Sequence, residues 1–237
     1  MPDDPQNRET PKVGGKDEVS QSLGFLPGDV SHRIFGSDPQ RTASCQSSRP
    51  EASKAQRSAI SSAGFLPAIA YPAKFDAKGT EHAVRFRGNV VEKHLHADGW
   101  MPAIDFSGML VLEKSLPTEY LRRLELQNEL FGDGIRVVGL TRANRFVTTQ
   151  PALRGGEPIE NEIRDILEVG GWQRVPIAVQ KLPDQLMGSA WWHDEEELVL
   201  LDARKPNFKK TKFGVLPIDL IIADLTSEMR HLFHLSR

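Results

Sequence analysis

The chain has 237 residues, room for one ordinary domain with tails or for two small ones. Its 30 basic and 32 acidic residues leave a formal charge of -2, so it lacks the large basic excess that marks a dedicated nucleic-acid binder. One cysteine, Cys45, excludes an intrachain disulfide framework and any cysteine-based zinc cluster.

Apolar-rich stretches such as Leu198 to Leu201 and Ile218 to Ile222, the latter interrupted by Asp219, are far too short to cross a bilayer. The opening Met-Pro-Asp-Asp-Pro-Gln has no basic region followed by an apolar core, so a secretory signal is not expected. A soluble cytoplasmic protein is the plain reading.

Residues 1 to 73 are expected to form a mostly disordered arm, and residues 74 to 237 the folded domain. The arm is rich in Ser, Gln, Pro, Lys and Arg, a composition that buries too little apolar surface to offset its ordering entropy. Two identical tetrapeptides interrupt it, Gly24-Phe25-Leu26-Pro27 and Gly64-Phe65-Leu66-Pro67. The residues between them show no matching pattern, so chance or a weak docking motif explains them better than a structural repeat.

From about Phe75 the chain becomes patterned. Glu81 to Phe86 and Val90 to Leu95 read as strands joined by a Gly/Asn turn at Arg87-Gly88-Asn89. Alternation puts Val91, Lys93 and Leu95 on one face of the second strand. A helix is predicted from Pro117 to about Leu130, with Gly132-Asp133-Gly134 after it and an apolar stripe through Tyr120, Leu121, Leu124 and Phe131. Ile135 to Leu140 and Phe146 to Thr149 form a second hairpin pattern. Another helix is expected between Ile159 and Val169, closed by Gly170-Gly171. Strands follow at Ala190 to His193, Leu198 to Leu201 and Val215 to Leu220, then a short helix over Leu225 to Leu235. This order implies an α+β fold built from antiparallel hairpins.

The segment Leu198-Val-Leu-Leu-Asp202-Ala-Arg-Lys-Pro-Asn207-Phe, followed by Val215-Leu-Pro-Ile-Asp219-Leu, carries the most chemistry. A carboxylate, an amide five positions later and a second carboxylate after a further twelve sit between short apolar strands. Phosphoryl transfer needs a carboxylate that orients the attacking hydroxyl and oxygen ligands for magnesium on the nucleotide phosphates. The spacing alone is weak, since Asp and Asn are common in turns.

This pattern resembles the catalytic loop and metal-binding aspartate of protein kinases and of aminoglycoside and choline kinases. With Glu119-Tyr-Leu-Arg-Arg-Leu and Asn128-Glu-Leu-Phe-Gly-Asp133 it is more narrowly similar to a short kinase-like family of bacterial mobile elements, the polyvalent protein kinase domains, over roughly residues 75 to 225. The resemblance implies a reduced protein-kinase-like fold, with an antiparallel N-lobe sheet, one helix and a truncated C-lobe. It implies ATP and Mg2+ as cofactors, Asp202 and Lys93 as catalytic residues, and Asn207 and Asp219 as metal ligands. Lys93 would hold phosphates and pair with a helix glutamate, for which Glu125 is favoured. Gln150, in Thr148-Thr149-Gln150-Pro151 between the lobes, would lie near the adenine. The acceptor would be an unidentified protein or small molecule.

Position 200 is Leu where such kinases usually carry His, and no Gly-rich loop precedes Lys93. These departures motivate a second reading, a nucleotide-binding pseudokinase acting as an interaction module. A third is a metal-dependent nuclease using Asp184 and the acids from Glu195 to Asp202. Taken singly, Lys93 reads as an exposed strand lysine, and His82, His94 and His96 as surface histidines. Trp191 and Trp192 must face opposite ways, one into the core and one onto a surface or ligand.

Overall fold

The computed structural model describes residues 24–35, 48–96 and 98–235. Cys45, the opening segment and much of the expected arm lie outside the described residues. The first layer is a five-stranded antiparallel sheet formed by β1 (Ala77–Lys78), β2 (His82–Arg87), β3 (Val90–Leu95), β6 (Arg136–Leu140) and β7 (Phe146–Pro151). Its order is β1-β2-β3-β7-β6, which makes β3 the central strand. The β2–β3 turn works because Gly88 takes φ +62°, a left-handed conformation that costs glycine little. Between β3 and β6 the chain makes a separate hairpin, β4 (Trp100–Ile104) and β5 (Leu110–Lys114), and then α3 (Pro117–Phe131).

Helix α3 ends where the sequence predicts. Gly132 takes φ +65° and its N–H donates to the Asn128 carbonyl at 3.0 Å. The Asn128 side chain donates to the Ile135 carbonyl and accepts the Ile135 N–H, which ties the helix to the entry of β6. At the other end the Thr118 N–H, one of the donors a helix leaves unpaired, reaches Gln56 Oε1 at 3.1 Å.

Gln56 belongs to α2 (Arg49–Ala63), which with α1 (Pro27–Phe35) lies in the segment expected to be a disordered arm. The described part of that segment is ordered instead: Val30, Phe35, Ile60 and Leu66 are buried with Leu95, Tyr120, Leu121, Leu124, Val137 and Phe146. The amphipathic spacing of these few apolar residues outweighs the polar average that composition reports. The two Gly-Phe-Leu-Pro tetrapeptides dock side by side on β6. Phe25 exchanges both backbone hydrogen bonds with Val137, while the Leu140 N–H donates to the Pro67 carbonyl. The Phe25 and Phe65 rings meet edge-on, with centroids 5.3 Å apart. Together they cover the exposed edge that β6 would otherwise present.

The second layer is a sheet of order β13-β10-β9-β8, made of β8 (Gln173–Arg174), β9 (Trp191–His193), β10 (Leu198–Leu201) and β13 (Ile221–Asp224). Its strands are covered on both faces. Leu198 and Leu200 pack with Leu126 of α3 and with Ile163 and Leu167 of α4 (Glu160–Val169), whereas Val199 and Leu201 pack with Leu110, Met229 and Phe233. Met229 and Phe233 lie on α5 (Ser227–Leu235). Trp191 and Trp192 do face opposite ways, but both are buried, one in each cluster, so neither covers a surface. A small hairpin, β11 (Phe208–Thr211) and β12 (Gly214–Pro217), completes the strands.

The expected strand from Val215 to Leu220 stops short, and a further strand follows it. β12 ends at Pro217, β13 begins at Ile221, and Asp219 sits in the bend between them. Proline lacks the N–H a continuing ladder needs. The β4–β5 hairpin, which carries Pro102 in a strand, is not foreseen by the pattern either. The architecture is α+β with antiparallel sheets, as the hairpin pattern implies. Among the described residues no helix is long and apolar enough to cross a membrane.

Candidate functional site

Lys93 projects from the centre of the first sheet, opposite Val84 and Thr148. Only 12% of its side chain is exposed, so it is not the solvated strand lysine that its position alone suggests. Its ammonium donates to the Ile218 carbonyl at 3.0 Å and lies 3.5 Å from Asp219 Oδ1. Gln150, on the neighbouring β7, donates to the same Ile218 carbonyl at 3.3 Å. The Ile218 N–H in turn donates to the Asn207 carbonyl at 2.8 Å. The Asn207 side-chain amide donates to the Asp202 carbonyl at 2.8 Å.

One chain of contacts thus joins Lys93, Gln150, Asp219, Asn207 and Asp202, which come from four separate stretches of sequence. Glu125 stands outside it. Its carboxylate pairs with Arg122 at 2.9 Å and faces Gly28 of α1, so the helix glutamate favoured from sequence does not reach Lys93. The side of α3 turned to Lys93 presents Arg123 and Gln127 instead.

Arg123 is the largest departure from expectation. Its guanidinium is 4% exposed and spans Glu81 at 2.8 Å, Asp219 Oδ1 at 3.2 Å and the Leu220 carbonyl at 2.8 Å. Gln127, one turn on, donates to that carbonyl at 3.0 Å. The bend holding Asp219 is therefore gripped by β3 and β7 on one side and by α3 on the other. Both α3 residues lie on the Tyr120 face at three- and seven-residue steps, a spacing that reveals them once a charged residue is allowed on a buried stripe.

Asp219 is approached by basic side chains from three directions. His82 Nδ1 lies 3.9 Å from its Oδ2, completing a ring with Lys93 and Arg123. Burial pushes its carboxyl upward, but Lys93, His82 and Arg123 outweigh that and hold it at about 2. His82 is buried, with Nε2 paired to the Tyr120 hydroxyl at 2.9 Å, and burial lowers its pKa against the pull of Glu81 and Asp219. Neither it nor His94, which is buried against Glu92, is a surface histidine. Asp133, just past the end of α3, is the converse case. Burial raises it to about 6 despite Lys93, and its Oδ2 is buried with no hydrogen-bond partner.

Asp202 follows β10 with φ +64°, a left-handed conformation uncommon outside glycine though tolerated by Asp and Asn. Its carboxylate is engaged by the Arg204 guanidinium. Backbone strain of this kind concentrates at functional positions.

Asn207 has its Nδ2 committed to the Asp202 carbonyl, which leaves its amide oxygen to offer, while Asp219 presents a carboxylate 36% exposed whose Oδ1 already faces Lys93 and Arg123. Glu81, His82 and Asp219 also bring one ligand atom each within 4.8 Å of one another. Arg123 already satisfies both Glu81 oxygens there, so this trio is better described as an ion-pair network. No other group of three His, Cys, Asp or Glu side chains converges among the described residues, including Asp184 and the acids from Glu195 to Asp202. A cleft of about 450 Å³ lies between the end of α3, α4 and β12, lined by Phe131, Ile166, Trp172 and Leu216 among others, and none of the charged residues of the site lines it.

No protein-family model, curated protein or solved structure matches this chain.

Proposed function

We propose that this protein is an ATP- and magnesium-dependent phosphotransferase of reduced kinase-like fold. The observation that carries this reading is the contact chain from Lys93 through Ile218 to Asn207 and Asp202, with Asp219 beside Lys93. It is supported by backbone and side-chain hydrogen bonds that link these segments across more than 100 residues of sequence. A five-stranded antiparallel sheet with α3 against it is also the N-lobe arrangement that the resemblance implies.

In this scheme Lys93 neutralises phosphate oxygens, and Asn207 and Asp219 would hold magnesium, which when bound screens the charge of the nucleotide phosphates. Asp202 accepts the proton of the acceptor hydroxyl as its oxygen bonds to the γ-phosphorus. The bond from that phosphorus to the bridging oxygen breaks, and ADP leaves. Positioning and charge stabilisation supply most of the rate gain in such transfers. Arg204 must release the Asp202 carboxylate for the acceptor to approach.

A second reading is a nucleotide-binding protein without turnover. It is favoured by the same Arg204 contact and by the crowding of Lys93 and Arg123 on one Asp219 oxygen. Release of γ-phosphate from ATP separates the two. Wild-type turnover abolished in Asp202→Asn, with nucleotide binding retained, supports the phosphotransferase. Binding without any phosphate release or transfer supports the second reading, and no binding at all removes both.

A further inference from the structure

Between Asp202 and Asp219 the chain carries five cations, Arg204, Lys205, Lys209, Lys210 and Lys212, and no acidic residue. In a molecule of formal charge -2 this is a marked local excess. It occupies one continuous element, the short 3-10 turn Lys205–Asn207 and the β11–β12 hairpin. Only two of the five cations are neutralised, Arg204 by Asp202 and Lys210 by Glu162 of α4. Lys205 and Lys209 make no ion pair among the described residues, and the Lys212 ammonium lies over the Phe213 ring, 4.8 Å from its centroid.

Phe213, at the hairpin tip, is 80% exposed. An exposed aromatic close to cations that make no ion pair places apolar area and positive charge together on one surface. The element starts three residues after Asp202, the residue that receives the acceptor hydroxyl in the scheme above. From Lys209 to Lys212 it extends roughly 10 Å at the usual strand rise.

We propose that this hairpin is the docking surface for the phosphoryl acceptor, and that the acceptor is an acidic polypeptide segment bearing a hydroxyl residue. Asp or Glu side chains of that segment pair with Lys205, Lys209 and Lys212, an apolar side chain covers Phe213, and the hydroxyl reaches Asp202. The inference rests on the phosphotransferase reading for its mention of an acceptor, but the docking itself does not require turnover. Complementary charge of this kind chiefly sets encounter rate and specificity, so binding should weaken steeply with salt. A polypeptide is favoured over a nucleic acid because the chain as a whole, at formal charge -2, lacks the basic excess of a nucleic-acid binder.

The test is fluorescence anisotropy on the full chain with a labelled Asp/Glu-rich peptide carrying one serine. A Gln/Asn-rich peptide, a single-stranded oligonucleotide of equal charge and anionic phospholipid vesicles serve as comparisons. The variant K205Q/K209Q/K212Q removes the charge while keeping polar side chains, and its melting temperature and Mg-ATP affinity are measured in parallel. Expected is salt-sensitive binding of the acidic peptide that weakens about tenfold or more in the variant, with unchanged melting temperature and ATP affinity. Binding no tighter than the neutral peptide, equal binding by the variant, or preference for the oligonucleotide or the vesicles overturns the proposal. If ATP does not bind but the peptide still docks through these lysines, the phosphotransferase reading fails while the docking surface stands.

Discussion

At the scale of single residues the site is an arrangement of charges in which each carboxylate has a different fate. Asp219 is held ionised, whereas Asp133 is pushed toward its neutral form at about 6 from the ordinary 3.8. The folded protein therefore binds the Asp133 proton more tightly than the unfolded chain, so stability falls as pH rises from about 3.8 to about 6. Above that window the cost is fully present. Asp133→Asn should stabilise the protein at neutral pH, by roughly 1 kcal/mol once solvent screening is allowed for, and the gain should vanish below about pH 4. Urea unfolding of the two proteins at both pH values measures this. Arg123 gives the opposite sign. Removing it leaves Glu81 buried without its partner, so Arg123→Met should cost about 3–5 kcal/mol, and the double variant with Glu81→Gln should recover much of that.

At the scale of elements, much of the framework was legible in the sequence because local signals agreed with the fold. Gly88 and Gly132 mark turns that require left-handed backbone, and the Tyr120 to Phe131 stripe marks the buried face of α3. The illegible parts have local reasons of their own. Pro102 hides a strand, and Pro217 ends another just before Asp219. Glu125 borders the apolar stripe by helical geometry, yet Arg122 claims it, and the residue that meets Asp219 is a cation. Helical spacing locates a face but not the ion pairs that long side chains choose. The straps on β6 give an element-scale prediction. A Cβ on Gly139 would sit 2.5 Å from the Pro67 carbonyl oxygen and 2.6 Å from Ile69, so Gly139→Ala should force the second strap away. Loss of about 1–3 kcal/mol of stability is expected, together with faster hydrogen exchange at the Leu140 and Ile69 amides.

At the scale of the whole molecule, α3 is the junction. Its Leu121 and Leu124 pack under the first sheet, its Leu126 packs with the second, and Arg123 and Gln127 hold the bend between β12 and β13. The two N-terminal helices complete the first of those cores. Val30, Phe35, Ile60 and Leu66 each contribute about 1.5–3 kcal/mol of burial, a sum comparable with the total stability of a domain. Deleting residues 1–66 should therefore abolish cooperative unfolding, whereas a free arm could be removed without effect. Differential scanning calorimetry of the two forms distinguishes these outcomes. Composition could not foresee this, since four apolar residues on and just after two helices scarcely alter a 73-residue average.

The central claim is that Lys93 and Asp219 form one nucleotide and magnesium site. Calorimetric titration of the intact chain with ATP, with and without magnesium, tests it most directly. The account predicts saturable binding that strengthens with magnesium, loses that strengthening in Asp219→Asn, and weakens at least tenfold in Lys93→Met. Binding by both variants indistinguishable from the wild type, or no binding by the wild type in the presence of magnesium, would contradict it.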